Sequence, residues 1–318
     1  MQISTMLLKS ESLKDNLPGD PVEREVTIIE HNPDKNTPVL IGLAGFFGTG
    51  ISFMNRSFTS IDFPSVLKKI VNENLVDSFI IVLPDTMTSY GGNQYINSPA
   101  VGNYEDFICK DLVSALKHRY GDRHMGLFGK SSGGFGSYTL GSRHPELFQG
   151  FIDVSGDSGF EYCYMRDFPE AIKTLQKIPV KQILNKFKQK EVLSMQELNT
   201  MNVIAMTAFY SPNVNSPDHI DLPFVIENGI LLQDVWKRWK LLDPLENIKD
   251  HVDTLRKQKI ILQVGTKDEF SLDIGIKALS SLMNHFDVPN NLLTYECGHF
   301  SIDYLYKDSI PELIKALR

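Results

Sequence analysis

The 318-residue chain has little cysteine and little tryptophan, three and two respectively. Cys109, Cys163 and Cys297 are odd in number and far apart, which argues against a disulfide framework and for free thiols in a reducing cytoplasm. No apolar run approaches the roughly 20 residues that a membrane helix needs. The opening MQISTMLLKSESLKDN has no apolar core long enough for a secretory signal. A cytoplasmic protein without a membrane span is therefore expected. Basic residues are outnumbered 32 to 39, for a net charge of −7, and form no run, so nucleic acid is not an expected partner. No block repeats, which excludes collagen-like and solenoid architectures. A homo-oligomer is left open.

What is present is an ordinary globular composition, 42% hydrophobic and 22% charged, enough for a large core. Short apolar runs at Val22–Glu30, Pro38–Ala44, Phe79–Leu83, Met125–Phe128, Gly150–Val154, Lys259–Val264 and Asn291–Glu296 read as strands, most of them buried on both faces as in a parallel sheet. Little helix can lie between the first of them, so these are expected to pair antiparallel. Amphipathic spacing predicts helices over Tyr104–His118 and around Ile276–Phe286. A third is predicted over Ser309–Arg318, where Ser309 and Glu312 have capping-box spacing. Alternating strands and helices imply an α/β class with a mostly parallel sheet covered on both faces. Residues 157–255 break the rhythm, with helical patterns, Pro-punctuated loops and both tryptophans but no convincing buried strand. They read as a helical insertion, or cap, within a single 1–318 domain, before the strand that carries a candidate acid.

The most informative stretch is Gly129-Lys130-Ser131-Ser132-Gly133, a G-x-S-x-G motif directly after a short apolar strand and directly before a helix. A strand turning sharply into a helix strains the central residue and needs small neighbours on both sides. Ser131 is then thrust out at the sheet edge, where the helix N-terminus favours developing negative charge. A phosphate-binding loop, G-x-x-x-x-G-K-[ST], would need glycine at position 124, which is His124.

A serine hydroxyl is a weak nucleophile; it needs a base, and the base needs an orienting carboxylate. KIILQV runs into Gly265-Thr266-Lys267-Asp268, which puts Asp268 at a strand's C-terminal end. NLLTYE runs into Cys297-Gly298-His299, one helix and one strand further on. This Ser–Asp–His order is that of an α/β-hydrolase. Glu269 and Asp157 are alternative acids, whereas the other seven histidines lie before strands, in loops or at helix ends. Cys297 reads as a small buried thiol beside the histidine, since no helix start follows to activate it. For an oxyanion hole, the backbone N–H of Ser132 and that of Phe46, in the Gly-rich loop Gly45–Gly50, are the candidate donors.

On these residues the chain resembles the esterase D-type family of α/β-hydrolases, which includes S-formylglutathione hydrolases, enterochelin esterases, feruloyl esterases and mycolyltransferases. The resemblance rests on PVLIGLAGFFGTG (38–50), FIIVLPDTMTSYGGNQYINSPAVGNYED (79–106), the 129–156 stretch, GTKDEF (265–270) and GHF (298–300). It spans nearly the whole chain apart from the insertion. It implies Ser131, Asp268 and His299 as a triad and Phe46 and Ser132 as oxyanion donors, with a small ester as substrate and neither metal nor cofactor. Two positions depart from the family: Lys130 in the elbow, which weakens the case for a glutathione thioester substrate, and Cys297 in place of a frequent glycine. Phe47, Tyr210, Trp236 and Trp239 are expected at the substrate pocket, with Phe209 and Phe224 nearby, although the insertion's aromatics could equally form its own small core. An acyltransferase using the same triad, and a non-catalytic binding protein on the same fold, remain the alternatives to a serine carboxylic-ester hydrolase.

Overall fold

Runs such as Val39–Leu43 and Phe79–Pro84 are buried at every position, so both faces of the strands they form must be covered. The computed structural model, which describes residues 1–318, shows how. Strands β1 (Gln2–Lys9), β2 (Glu23–His31), β3 (Val39–Leu43), β4 (Phe79–Pro84), β5 (Met125–Lys130), β6 (Gly150–Val154), β7 (Lys259–Gly265) and β8 (Asn291–Tyr295) make one sheet in the order β1-β2-β4-β3-β5-β6-β7-β8. β2 pairs antiparallel with β1 and β4, and every other pair is parallel. This is the mostly parallel α/β-hydrolase arrangement.

The principal helices are α1 (Phe63–Asn72), α2 (Val113–Tyr120), α3 (Ser132–Arg143), α4 (Phe168–Leu175), α5 (Val180–Lys188), α6 (Met195–Tyr210), α7 (Gln233–Lys240), α8 (Leu272–His285) and α9 (Tyr306–Leu317). None is long and apolar enough to cross a membrane. Because successive strand residues point to opposite faces, Ile81 and Leu83 join one core with α1 and α9. Ile80 and Val82 join the other, with α2, α3, α8 and the helices between β6 and β7. In α1 the Asp62 side chain accepts from the Ser65 N–H at 2.9 Å, a cap worth about 1 kcal/mol. Phe63, Val66, Leu67 and Ile70 of the same helix are buried, each contributing about 1.5–3 kcal/mol, so packing rather than capping holds the helix.

Three elements differ from the sequence expectations. β1 was not anticipated: it is an edge strand whose apolar side chains fall on both faces, with Ile3 and Leu7 exposed and Met6 and Leu8 packed on the core, so its alternation is blurred. The Tyr104–Tyr120 segment contains a widened π-helical stretch at Phe107–Leu112. α9 starts at Tyr306 rather than after Ser309, which is buried, and carries Pro311 inside. Tyr306, Ile310, Leu313 and Leu317 bury together against the sheet, which outweighs the one backbone hydrogen bond that Pro311 cannot make.

Asp153 of β6 is 1% exposed, with a carboxyl oxygen that has no hydrogen-bond partner. Burial pushes its carboxyl from 3.8 up to about 7, against the pull of a Gly156 N–H. Between those values the folded chain holds a proton that the unfolded chain releases. Stability therefore falls as pH rises through this window, by up to about 1.4 kcal/mol per pH unit from this one group. Asp153→Asn is expected to flatten the fall of the urea midpoint between pH 4 and 7; parallel profiles for variant and wild type would contradict this.

Candidate active site

The turn between β5 and α3 places Ser131 at φ 58°, ψ −125°, a region that costs a non-glycine residue about 1–3 kcal/mol. Its neighbours hold it there. The Ser131 N–H donates to the Val154 carbonyl at 2.9 Å. A Cβ at Gly129 would lie 2.3 Å from the Gly133 carbonyl oxygen, and one at Gly133 would lie 2.0 Å from that of Leu43, so only glycine allows α3 to start this close to the sheet. Ser132 is the first residue of α3, and its N–H has no intrahelical acceptor. The Phe46 N–H in the loop after β3 likewise donates to no acceptor in the protein, while the next N–H, of Phe47, donates to the Gly91 carbonyl. The dipole of α3 adds to the positive field at this turn.

Asp268 and His299 follow β7 and β8, and the Lys267 N–H donates to the Cys297 carbonyl at 2.9 Å, tying the two loops together. His299 Nδ1 and Asp268 Oδ2 are 2.8 Å apart, with both side chains buried. Burial pushes the Asp268 carboxyl up. The hydrogen bond and charge of His299, with the Phe270 and Leu272 N–H groups, outweigh it and hold the carboxyl below its ordinary value. The imidazole meets Phe270 and Phe300 edge-on at 4.9 and 5.4 Å between ring centres. Ser131 and His299 line one cavity of about 400 Å³, without a direct hydrogen bond between their side chains.

The alternative acids take other tasks. Glu269 accepts from the His299 backbone N–H. Asp157 bonds to Tyr164 and Ser132 rather than to the histidine. Phe46, Phe47 and Ser132 line the cavity, whereas Tyr210, Trp236 and Trp239, expected there, do not. Those three are buried in the stretch between β6 and β7: Tyr210 and Trp239 lie 5.2 Å apart, Trp236 and Trp239 5.8 Å, and the Trp239 indole N–H donates to Ser211. A segment without a strand of the main sheet buries its largest aromatics against the rest of the chain, and these three join the core shared by the sheet, α2, α3 and α8. The cavity wall is instead one face of α6, with Met195, Leu198, Asn199, Asn202 and Met206. Their spacing of three and four is visible in the sequence once a helix is placed there. α6 is fixed at its start by a capping box between Ser194 and Glu197. Cys297 is half-buried rather than buried.

Lys130 was missed as a functional candidate. Its Nζ donates to the His299 carbonyl at 3.0 Å and lies 5.7 Å from the centre of the Phe300 ring. Burial pulls the amine down, opposed by Asp303, Asp268 and Glu269. The residue before Ser131 thus tethers the histidine loop. Lys130→Met, which keeps the stem and removes the donor, is expected to lower kcat on a 4-nitrophenyl ester about tenfold, some 1.4 kcal/mol, with little change in KM. Steady-state kinetics beside a thermal melt check this, and an unchanged kcat in a folded variant would refute it.

Residues 21–317 match a family model described as "Putative esterase". No curated protein sequence matches the chain. Among solved structures, a ferulic acid esterase is 20% identical with a TM-score of 0.61, over 99% of this chain and 98% of that one. An S-formylglutathione hydrolase from Agrobacterium tumefaciens is 13% identical with a TM-score of 0.62, over 99% and 95%. A fluorophosphonate-binding serine hydrolase from Staphylococcus aureus is 11% identical with a TM-score of 0.56, over 99% and 98%. At these identities the structures share the fold. With the family model spanning nearly the whole chain, the protein belongs to this esterase family, hydrolases built on an α/β-hydrolase fold.

Proposed function

We propose that this protein hydrolyses small carboxylic esters by a two-step acyl transfer to water, with Ser131 as nucleophile. His299 takes the Ser131 proton as the oxygen attacks the ester carbonyl, then returns it to the departing alcohol. Asp268 holds the imidazole with its Nδ1–H inward and stabilises the cation that forms. The N–H groups of Phe46 and Ser132 receive the oxyanion, each worth about 3 kcal/mol at the transition state. Water, deprotonated by His299, then resolves the acyl-enzyme. Neither metal nor cofactor enters this scheme. The observation that carries the proposal is the 2.8 Å His299–Asp268 pair lining the same cavity as a serine on a strained elbow.

We further propose that residues 157–255 act as a cap within one domain, with α6 as the cavity wall. A cytoplasmic location fits three unpaired cysteines.

An organophosphate or sulfonyl fluoride is expected to label Ser131 stoichiometrically by mass spectrometry. Ser131→Ala should lose about 10⁴–10⁶-fold in kcat on short 4-nitrophenyl esters, and Asp268→Asn about 10⁴-fold. An unlabelled Ser131, with activity surviving the substitution, would overturn the proposal.

A further inference from the structure

We infer that the closed end of the cavity receives an acyl group bearing a hydroxyl close to its carbonyl, with Asp157 as the residue that reads it; this rests on the hydrolase proposal above. Asp157 lines the cavity and plays no part in the proposed proton relay. Three donors converge on one of its oxygens, Oδ2: the Tyr164 hydroxyl at 2.7 Å, the Ser132 hydroxyl at 3.3 Å and the Gln94 amide at 3.4 Å. The other oxygen, Oδ1, accepts no hydrogen bond from the protein, whose bonds to this carboxyl all go to Oδ2. A carboxyl fixed through one oxygen, with the other unpartnered, on a residue that lines a ligand space is a candidate hydrogen-bonding station.

Its position selects the part of the substrate. Asp157, Tyr164 and Met206 are 6%, 5% and 1% exposed, whereas Phe47, Phe300 and Met195 at the rim are 48%, 61% and 70% exposed. The alcohol is the first product and must leave before water attacks the acyl-enzyme. The leaving group therefore belongs at the open rim and the acyl group at the closed end. Ser132 is adjacent to Ser131, and its hydroxyl reaches Asp157 directly, so the carboxyl stands a short acyl chain away from the nucleophile. Asn199 and Asn202 of α6 add further polar side chains to the cavity lining.

The chemistry selects a hydroxyl. A plain alkyl chain would strip water from Oδ1 and replace it with nothing, the situation in which sites built to bond a hydroxyl reject its deoxy analogue. An ammonium would suit a firmly ionised carboxylate, but burial pushes the Asp157 carboxyl up, against the opposing pull of Tyr164, His299, Ser132 and Gln94. A hydroxyl can donate or accept and so suits either protonation state.

The test compares 4-nitrophenyl esters of pentanoic, 3-hydroxypentanoic and 3-aminopentanoic acids. In the wild type, kcat/KM is expected to be at least about tenfold higher for the hydroxy ester than for the plain one, with no gain for the amino ester. In Asp157→Leu that ratio should fall to near one. Should the variant fail to fold, inhibition of the wild type by 3-hydroxypentanamide against pentanamide gives the same comparison, and the hydroxylated amide should bind more tightly. Equal or better cleavage of the plain ester, equal inhibition by the two amides, or a preference that persists in folded Asp157→Leu, overturns the inference while leaving the hydrolase proposal intact. A preference for the amino ester overturns it in favour of a cation site. If no ester is cleaved and Ser131 resists labelling, the hydrolase proposal itself fails.

Discussion

The strained turn at Ser131 is the constraint on which the rest of the site depends. A serine at positive φ is held there only because the strand before it and the helix after it are both anchored. β5 lies between β3 and β6 in the sheet, and α3 presses its first turn against the end of β3 through Gly133. That approach leaves the Ser132 N–H unpaired beside the Phe46 loop and puts the positive end of α3 under the serine. Strain, unpaired donors and helix dipole are thus three consequences of one backbone geometry. The cost is local, and the two cores on either side of the sheet supply the stability that offsets it.

Four carboxyl groups lie at or behind this turn, and their surroundings give them different tasks. Asp268 is held below its ordinary value by His299 and two backbone N–H groups, whereas Asp157 and Asp153 are pushed up by burial. Glu269 spends its carboxylate on the His299 backbone. One carboxyl held low beside the imidazole, with the buried ones pushed up, avoids piling negative charge beside the position where the proposed mechanism develops an oxyanion. Lys130 is the half-buried cation of this group. Its tie to the His299 carbonyl joins the loop after β8 to the elbow after β5, two strands that are not neighbours in the sheet.

The stretch between β6 and β7 contributes in two layers. Its aromatics pack inward, and Phe135 of α3 meets Tyr210 at 5.9 Å, which seats this segment on the sheet. Outside that core, one face of α6 and the Cys163–Asp167 stretch meet the cavity. The Tyr164 hydroxyl bridges the layers, reaching Asp157 at 2.7 Å and the Tyr210 hydroxyl at 3.2 Å. Cavity shape is in this way coupled to how this stretch packs on the sheet.

What the amino-acid order determined alone is whatever depends on local pattern. Short apolar runs, most of them ending in Gly, Pro, Asp or Ser, located seven of the eight strands, and G-x-S-x-G after such a run located the elbow. A carboxylate and a histidine at the ends of the next late strands named Asp268 and His299. β1 escaped because an edge strand with apolar residues on both faces has no clean period, and the start of α9 was misplaced because long-range burial overrode a plausible cap at Ser309. The tertiary structure alone decided which side chains face the cavity. Trp236, Trp239 and Tyr210 are large and apolar, and sequence cannot tell a pocket wall from a core when both want the same residues. Lys130, Gln94 and Asp157 have no motif of their own. Their significance comes from partners elsewhere along the chain, such as His299 for Lys130 and Ser132 for Asp157, and only folding brings those partners within hydrogen-bond reach.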